Sequence, residues 1–342
     1  MRVITFANQK GGCGKTTLAV NFAAGLAKRK IKTLLIDLDP QAHATLYLGY
    51  KDQSNNSVLK IFDNLIKNIE FDPKDYIISR NPEFSFVSSK IELGALESEL
   101  SEKSYALELL KRLIEKTEPL NFEYIIVDTP PNLGFLTLNA LKCADIVIIP
   151  LECSIFSLQG SENLKKIVSL FGDYYEKLPL FFHLITMFDK RSNFNKEFLR
   201  KIEKIIDNLL SPPVRNNIHL KEASYLGKTI FEHNPFCRGA QDIEKVIEDF
   251  LKKIKRIRAV DFSCEAHSAQ KIYLVGDFNN WQRREEYALV RKNGRWQKKV
   301  YLPKGKYRYK FIIDNTWAHD NSNPYKETDN FGGYNSLLSL ED

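Results

Sequence analysis

The sequence predicts two domains of different fold class: a doubly wound α/β domain with a mostly parallel sheet, followed by a small all-β sandwich. Residues 1–258 alternate apolar runs with helical stretches, which is typical of a parallel sheet covered by helices on both faces. From residue 259 onward the chain is rich in Trp, Tyr and Asn and consists of short strand-like runs between turn residues. The predicted domains are therefore 1–258 and 259–342.

The composition is that of an ordinary globular chain. Of the 342 residues, 43% are hydrophobic and 27% are charged, so each domain has enough apolar side chains for a core. The apolar runs fall short of the roughly 18 residues that a membrane-spanning helix requires, and the chain starts with a strand-like segment instead of a signal peptide. The five scattered cysteines favour reduced thiols, and none of the six histidines stands at zinc-ligand spacing from a cysteine. We therefore expect a cytoplasmic protein.

The net charge of +7 permits binding to an acidic partner, and part of it lies in one segment. Five of the seven residues 252–258 are basic, and they end a helical pattern whose apolar positions between 243 and 257 repeat every three or four residues. Such a helix either lies on a membrane surface or packs on a core with its cations near the C-terminus. Its position in mid-chain, before a second domain, favours the core-packed alternative.

The elements of the first domain follow from the positions of its apolar runs. Helices are predicted at 161–170 and 198–210, and strands at 2–7, 32–37, 123–128, 145–150 and 181–187. Ligands of doubly wound sheets bind where the carboxyl ends of the strands meet. Motifs that follow the strands are therefore the candidates for a site.

The segment after the first predicted strand has the composition of a phosphate-binding loop, NQKGGCGKTT. Backbone N–H groups at Gly11, Gly12 and Gly14 can surround a triphosphate at the positive end of the helix that follows. Lys15 would reach the β- and γ-phosphates, and the Thr16 hydroxyl would ligate Mg²⁺. The sequence therefore predicts a site for a nucleoside triphosphate with magnesium.

Acidic side chains end two of the predicted buried strands. Asp37 and Asp39 end the second strand, and Asp128 ends the third. Burying a carboxylate beside apolar strands is costly unless a cation or hydrogen-bond donors compensate for it. Magnesium held by Thr16 and water, with Asp128 in its outer shell, would provide that compensation.

The loop departs from a standard P-loop at its start, since Gln9 stands where the first glycine is usual and Lys10 follows it. This arrangement resembles the deviant Walker A motif of the ParA/Soj/MinD family of dimerising ATPases. The resemblance extends to residue 258 through segments at 131–140, 149–151, 186–189 and 227–230. It implies a P-loop NTPase fold, ATP hydrolysis, ATP and Mg²⁺ as cofactors, and a nucleotide-dependent homodimer.

The resemblance also implies a role for each matching residue. Lys10 would reach the nucleotide of the partner subunit, Asp39 would position or activate the attacking water, and Asp37 lies beside it. With Lys15, these are the catalytic candidates. Thr16 and Asp128 are the magnesium candidates. The nucleotide-binding candidates are Lys10, Gly11, Gly12, Cys13, Gly14, Lys15, Thr16, Thr17 at the α-phosphate, and Arg215 and Asn217 at the base.

Partners follow from the same resemblance. Family members of the Soj/ParA type bind DNA without sequence specificity through cations on the dimer face, and a ParB-like activating protein is implied as well. Phosphate contacts of this kind would be steeply salt-dependent. The alternative is that the cations only form a solvated surface. The candidates for DNA contact are Lys190, Arg191, Arg200, Lys201, Lys221, Lys228 and Arg238.

The second domain is predicted from its strands and turns. Turn residues at 293–294, 303–305 and 314–315 separate strand-like runs at 272–275, 296–302 and 307–313. Such a pattern predicts an immunoglobulin-like sandwich. The string VGDFNNW, with later matching segments at 309–311, 314–317, 323–324 and 331–335, resembles the glycogen-binding module of AMP-activated kinase β subunits, carbohydrate-binding module family 48.

This second resemblance implies an α-glucan site. Exposed indoles offer flat apolar faces on which pyranose C–H groups can stack. By correspondence with the family, Trp281 and Trp317 would form the platform, Lys310 and Asn335 would donate hydrogen bonds, and Phe331 would take the place of an aliphatic residue that inserts into the glucan ring. The alternative is that the tryptophans belong to the core and the module only mediates protein contacts.

Together the two domains predict an ATP-dependent ParA-family ATPase for partitioning or positioning of DNA or another cargo, with a C-terminal α-glucan-binding module. One alternative is a carbohydrate-responsive regulatory scaffold with slow ATP turnover. Another is a MinD-like membrane-associated positioning ATPase that uses the helix at 243–258.

Overall fold

The computed structural model describes residues 1–51, 56–100, 103–170, 176–292 and 294–341. It divides into two compact units. One comprises Met1–Leu164 and Phe181–Phe250, and the other comprises Lys165–Leu180 and Leu251–Asp342. We call them the nucleotide unit and the β unit.

The described strands and helices are as follows. The strands are β1 (Arg2–Phe6), β2 (Thr33–Asp37), β3 (Ile78–Asn81), β4 (Phe84–Val87), β5 (Tyr124–Asp128), β6 (Ile146–Leu151), β7 (Lys177–Leu178), β8 (Leu180–Ile185), β9 (Leu209–Leu210), β10 (Ile257–Cys264), β11 (Ile272–Gly276), β12 (Val290–Lys292), β13 (Arg295–Pro303), β14 (Lys306–Ile313), β15 (Thr316–Ala318), β16 (Lys326–Thr328) and β17 (Tyr334–Ser339). The helices are α1 (Lys15–Lys28), α2 (His43–Tyr47), α3 (Val58–Ile66), α4 (Leu93–Leu100), α5 (Leu109–Thr117), α6 (Phe135–Cys143), α7 (Ile155–Leu170), α8 (Asn193–Ile202), α9 (Ile218–Tyr225), α10 (Ile230–His233) and α11 (Arg238–Lys255).

The nucleotide unit is built on a mostly parallel sheet. Over the described residues its strand order is β3-β4-β2-β5-β1-β6-β8-β9. The edge pair β3–β4 is antiparallel, whereas β4–β2, β2–β5, β5–β1, β1–β6 and β8–β9 are parallel. The central strands are apolar along their length and buried, as expected when helices cover both faces. Because β5 pairs in parallel with both β1 and β2, Asp128 is in register with Phe6 on one side and with Asp37 on the other. The carboxyl ends of three strands therefore meet beside the glycine-rich loop.

The five predicted strands correspond to β1, β2, β5, β6 and β8, whereas β3, β4 and β9 were not predicted. Both predicted helices begin earlier than expected, and the helix predicted at 161–170 is α7, which begins at Ile155. The helix predicted at 198–210 is α8, which begins at Asn193 and ends at Ile202. It begins earlier because the Ser192 side chain caps it by accepting a hydrogen bond from the backbone N–H of Asn195. Leu209 and Leu210 instead form β9, which pairs in parallel with β8 at the sheet edge.

The last helix of the unit, α11, packs on the core. Ile243, Val246, Ile247 and Phe250 are each at most 1% exposed, and the Phe250 ring makes edge contacts with other core aromatics. The apolar face of α11 is thus occupied, as the core-packed alternative requires, and Ile257 begins β10 instead of continuing the helix. Among the described residues, no helix is long and apolar enough to cross a membrane.

The β unit contains two sheets. One has the order β10-β13-β12, and the other has the order β11-β14-β17-β16 with β15 alongside β14. Apolar side chains of both sheets form its core, including Phe262, Leu274, Trp296 and Phe311. The indole N–H of Trp296 donates to the Ala266 carbonyl at 3.1 Å, so this tryptophan is structural.

One strand of the β unit comes from far upstream in the chain. Lys177 and Leu178 form β7, which pairs in parallel with Lys299 and Val300 of β13. No local sequence pattern indicated this pairing. The hairpin turn predicted at 293–294 includes Asn293, which lies outside the described residues.

Candidate functional site

The glycine-rich loop connects β1 to α1 in the conformation that anion binding requires. Gly14 is the N-cap of α1 and has φ of 85°, in the left-handed region, where a side chain would strain the backbone. The loop therefore presents its backbone N–H groups at the positive end of a 14-residue helix. This arrangement suits a phosphate chain.

Lys15 lies inside this loop instead of extending into solvent. It is 7% exposed, and its ammonium group donates to the Lys10 carbonyl at 3.2 Å. The lysine is thus held where it can contact a phosphate without a large rearrangement.

A cavity of about 640 Å³ opens beside the loop. It brings together most of the predicted nucleotide-binding residues and Asp39. Its lining consists of Gly11, Gly12, Gly14, Lys15, Thr16, Thr17, Asp39, His43, Leu46, Tyr47, Pro131, Met187, Ser224 and Tyr225.

Cys13, another predicted nucleotide-binding residue, is buried below the cavity instead of lining it. Its carbonyl accepts a hydrogen bond from the Thr186 hydroxyl at 3.0 Å. This bond ties the loop to the residue that follows β8, so Cys13 helps to fix the loop.

The three predicted carboxylates lie at the ends of β2 and β5, and each is at most 3% exposed. Burial, reinforced by the charge of Asp37, holds the pKa of Asp128 well above its ordinary value, while Thr16 and Lys15 oppose the rise. Both carboxylate oxygens of Asp128 are buried, and within the described chain neither has a hydrogen-bond partner. A hydrated magnesium ion would satisfy them, since oxygen ligands and water are what Mg²⁺ prefers. The residues present therefore fit the predicted metal.

Asp37 and Asp39 have different surroundings. Burial raises the pKa of Asp37 to about 6, although the carboxylate accepts hydrogen bonds from the N–H and hydroxyl of Thr45 at 2.8 and 2.7 Å. Asp39 reaches the cavity and accepts a hydrogen bond from the Gln41 N–H at 3.0 Å. Asp37 therefore supports the segment that connects β2 to α2, and Asp39 is the carboxylate that can contact a ligand.

His43 was not singled out in the sequence. Its Nδ1 lies 3.1 Å from Asp39 Oδ2, and the residue lines the cavity. The signal that could have identified it is a histidine at the start of α2, four residues after Asp39.

Lys10 does not line the cavity beside the loop. Its ammonium group pairs with the Glu152 carboxylate at 2.5 Å, and the two side chains are 39% and 27% exposed. Glu152 directly follows β6, another strand that ends at this edge of the sheet. Sequence reasoning missed it, although an acidic residue after a buried strand is the same signal that identified Asp128.

The two predicted base contacts are engaged elsewhere. The Arg215 guanidinium forms a two-pronged ion pair with Asp242, at 2.7 and 2.6 Å, and the Asn217 side chain caps α9 by accepting from the His219 N–H. Neither lines the cavity. Contact of these residues with a base stays a prediction.

The five predicted glucan residues line one cavity of about 650 Å³ in the β unit. Trp281 and Trp317 are neighbours, with ring centroids 6.4 Å apart and ring planes inclined by 32°. Trp317 is 51% exposed, so this tryptophan does not belong to the core. The lining consists of Trp281, Arg308, Lys310, Trp317, Asp329, Asn330, Phe331 and Asn335.

Lys310 is fixed at the floor of this cavity by Asp329, a residue that the sequence did not single out. Their side chains are 12% and 7% exposed and form an ion pair. Lys310 first, and then the N–H groups of Gly333 and Phe331, lower the pKa of Asp329 to about 2. The backbone bonds from Phe331 and Gly333 also shape the turn that presents the Phe331 ring, which is 96% exposed.

The cations proposed for DNA contact are all exposed. Two of them are paired with neighbouring acids. Arg191 contacts Asp189 at 3.2 Å, and Lys201 contacts Glu197 at 2.7 Å. Exposed pairs of this kind are weak and compatible with a phosphate partner.

Two family models match the chain. One, described as an AAA domain, matches residues 1–178, and the other, described as the glycogen recognition site of AMP-activated protein kinase, matches residues 261–342.

Among curated proteins, the chain is similar to the sporulation initiation inhibitor protein Soj of Bacillus subtilis, with 35% identity over 243 residues that cover 70% of this chain and 94% of the relative. Among solved structures, it is similar to a putative plasmid partition protein of Borrelia burgdorferi bound to AMPPNP, with 27% identity, a TM-score of 0.61 and coverage of 74% of this chain and 99% of the other. It is also similar to cobyrinic acid a,c-diamide synthase of Mycobacterium smegmatis with a bound ATP analogue and magnesium, with 26% identity, a TM-score of 0.61 and coverage of 75% and 96%.

Proposed function

The chain belongs to the ParA/Soj family of P-loop ATPases and carries a glycogen-recognition domain, and from this premise we propose that it is an ATP-driven dimeric switch that positions an α-glucan-bearing cargo. It is an ATP hydrolase with ATP and Mg²⁺ as cofactors. The observation that carries the proposal is the cavity in the β unit, where all five predicted glucan residues meet. The five free thiols favour a cytoplasmic location.

The proposed chemistry of the nucleotide unit is charge neutralisation and positioning. The N–H groups of the loop and Lys15 would hold the phosphates, and Thr16 with Asp128 would hold magnesium, which supplies a positive charge against the phosphate oxygens. Asp39 would orient the attacking water from the cavity wall. Its contact with His43 Nδ1 supports this role, because a fixed carboxylate orients a water better than a mobile one does.

The switch would depend on Lys10. Its ion pair with Glu152 keeps the Lys10 ammonium near the loop but outside the cavity of its own protomer. To reach the nucleotide of a partner subunit it would have to leave Glu152 for a more negative phosphate group. Dimer formation and ATP binding would thus be coupled, because Lys10 would replace the Glu152 carboxylate by a phosphate group of the partner's nucleotide.

The β unit would bind the α-glucan and thereby determine which cargo the ATPase positions. The exposed indole of Trp317 and the half-buried indole of Trp281 lie beside a fixed ammonium group and an amide. Together they offer both the apolar faces and the donors that a sugar ring needs. A binding module needs no catalytic carboxylate pair of its own.

DNA is a second candidate ligand of the nucleotide unit. It is favoured by the exposed cations of this unit and by the partition proteins among the relatives. A ParB-like activator would then be expected to stimulate hydrolysis. In the carbohydrate-responsive alternative, an oligosaccharide and not DNA would change the rate of ATP hydrolysis.

Affinity electrophoresis tests glucan binding by the β unit directly. The full chain is run through native gels with and without amylopectin or glycogen, next to the double variant Trp281→Ala/Trp317→Ala. We expect retardation of the wild type and an apparent affinity at least about 30-fold weaker for the variant, since a central aromatic anchor is worth about 2 kcal/mol.

The matched control is Phe194→Ala, which removes an exposed aromatic ring from the nucleotide unit. It should migrate like the wild type in both gels. Equal mobility of the folded wild type and the double variant in glucan gels would refute glucan binding. ATPase rates measured with DNA and with oligosaccharide then identify which ligand controls the switch.

A further inference from the structure

Two histidines and a glutamate converge on the surface of the nucleotide unit, apart from the residues that line the nucleotide cavity. We propose that His219, Glu222 and His233 form a binding site for a divalent transition-metal ion, and that this ion is Zn²⁺. The proposal does not depend on glucan binding by the β unit or on magnesium binding at the phosphate loop.

The local sequence brings these side chains to one place. His219 and Glu222 are three residues apart on α9, so they lie on the same face of that helix. His233 is the last residue of α10, a helix whose start is fixed by a capping box between Thr229 and Glu232. A pair of helices therefore presents the three side chains, two from one helix and one from the other.

The turn between these helices is tightly constrained. Gly227 has φ of 65°, and a Cβ at this position would come within 2.7 Å of the Gly49 Cα atom. The Arg80 guanidinium also donates to the Gly227 carbonyl at 2.9 Å. Backbone packing therefore constrains the turn that connects α9 to α10, in addition to the contacts of the histidines.

The three donor atoms face a common point. His219 Nδ1 lies 2.7 Å and His233 Nε2 lies 3.2 Å from the same oxygen of Glu222, Oε2. All three potential ligand atoms lie within 4.8 Å of one another. Zinc bonds to nitrogen and oxygen are about 2.0–2.2 Å, which places two ligands of one tetrahedral ion about 3.3 Å apart. Small side-chain rotations would therefore admit the ion.

The chemistry of the donor set favours zinc. Two imidazole nitrogens with one carboxylate oxygen suit a borderline-soft ion, whereas Mg²⁺ and Ca²⁺ prefer oxygen ligands throughout. The fourth position of a tetrahedral ion would remain for water. The His219 and Glu222 side chains are 37% and 45% exposed, so an ion can enter from solvent.

The alternative is an ion pair between protonated imidazoles and the carboxylate. Hydrogen bonds from His233 and His219 do lower the pKa of Glu222, which shows that the carboxylate favours positive charge at this point. A zinc ion would supply that charge with neutral imidazoles and would displace the protons. Metal titration distinguishes the two interpretations.

The experiment uses the full chain with its phosphate loop saturated by MgADP, so that added metal does not enter that site. Zn²⁺ is titrated by calorimetry, and Co²⁺ by visible absorption, which reports tetrahedral coordination. We expect one equivalent of metal per chain in the wild type. The variant His219→Gln/His233→Gln should bind at least tenfold more weakly.

The matched control is His267→Gln/His319→Gln, which removes the same number of histidines from the β unit and should bind like the wild type. The single variant Glu222→Gln tests the carboxylate and should weaken binding while both imidazoles remain. Circular dichroism and ADP binding confirm that each variant folds.

Three results would overturn the proposal. The first is that the wild type binds no Zn²⁺ and no Co²⁺, which would leave the ion-pair interpretation. The second is unchanged affinity in His219→Gln/His233→Gln. The third is a cobalt–thiolate charge-transfer band, which would place the metal on a cysteine.

Discussion

The cavity of the nucleotide unit and the cavity of the β unit differ in how far their ligand-binding groups are exposed to solvent. In the nucleotide cavity the charged groups are withdrawn from solvent, with Lys15 only 7% and Asp39 only 3% exposed. In the cavity of the β unit, the proposed glucan site, the contact surface is open, and Phe331 is 96% exposed. A polyphosphate is bound best by fixed charges and dipoles away from bulk water, because water would screen them. A sugar ring instead needs an accessible apolar face.

This difference predicts how each site responds to substitution. The buried charges of the nucleotide unit have different partners, so removing one should change ligand binding, hydrolysis or the stability of the unit, according to which charge is removed. Trp317 and Phe331 are exposed and contribute little to the core of the β unit, so their removal should affect the ligand alone. Trp281 is half-buried against a small apolar cluster, so its removal should also cost some stability. The predictions below test this contrast, beginning with the largest expected effect.

Replacing Lys15 by Ala should abolish nucleotide binding. The side chain is the cation held inside the loop, and losing a desolvated charged partner typically costs about 2–5 kcal/mol. We expect ATP affinity to fall by at least about 100-fold, measured with a fluorescent ATP analogue. Lys245→Ala, which removes an exposed lysine from α11, is the control and should bind normally. Retained nucleotide affinity in Lys15→Ala would contradict the site assignment.

Replacing Asp39 by Ala should slow hydrolysis while leaving ATP binding in place. The carboxylate faces the cavity and is proposed to orient the attacking water, a role worth roughly 10²–10⁴-fold in kcat. The ATP-bound dimer should therefore persist, which sedimentation analysis of the ATP-loaded variant would detect. Asp75→Asn removes an exposed carboxylate and should hydrolyse ATP at the wild-type rate. The assignment is wrong if Asp39→Ala does so too.

The sequence predicted the parts that chemistry fixes locally. The loop, Asp37, Asp39 and Asp128 were identified because a phosphate cradle and buried strand-end carboxylates need particular residues at particular spacings. The fold class and both family resemblances were confirmed by the comparisons.

Part of what the sequence missed depends on long-range contacts. Glu152 matters because the fold brings it to Lys10, whereas His43 is only four residues from Asp39 and its signal was local. The strand β7 pairs with β13, which lies more than a hundred residues further along the chain. The histidine cluster was overlooked because only cysteine–histidine spacings were considered, whereas its local signal was a His and a Glu three residues apart on a helix.

The smallest expected effect is on the pH dependence of the free energy of unfolding, which should differ between the two units. Asp37 has a folded-state pKa of about 6, above its usual value, so the folded protein binds the extra proton. The free energy of unfolding of the ligand-free nucleotide unit should therefore fall as pH rises from about 4 to 6, by on the order of 1–3 kcal/mol. Asp329 has a pKa of about 2, below its usual value, so its contribution is present above pH 4 and is lost only as pH falls toward 2.

Denaturant unfolding followed separately for each unit would check this contrast. The variant Asp37→Asn should reduce the fall in stability between pH 4 and 6, with Asp128 accounting for the remainder, and should leave the loss at acid pH unchanged. Asp329→Asn should instead reduce the loss of stability of the β unit at acid pH and leave the range from pH 4 to 6 unchanged. Parallel pH profiles for the wild type and Asp37→Asn would mean that another group carries the proton. Asp128 would then be the first candidate, since burial raises its pKa as well. Asp128 would bind a proton in the ligand-free protein and support magnesium when the nucleotide is bound, and this exchange would couple nucleotide binding to the stability of the nucleotide unit. The described residues that line the cavity of the β unit include no carboxylate with a raised pKa, so we expect no such coupling there.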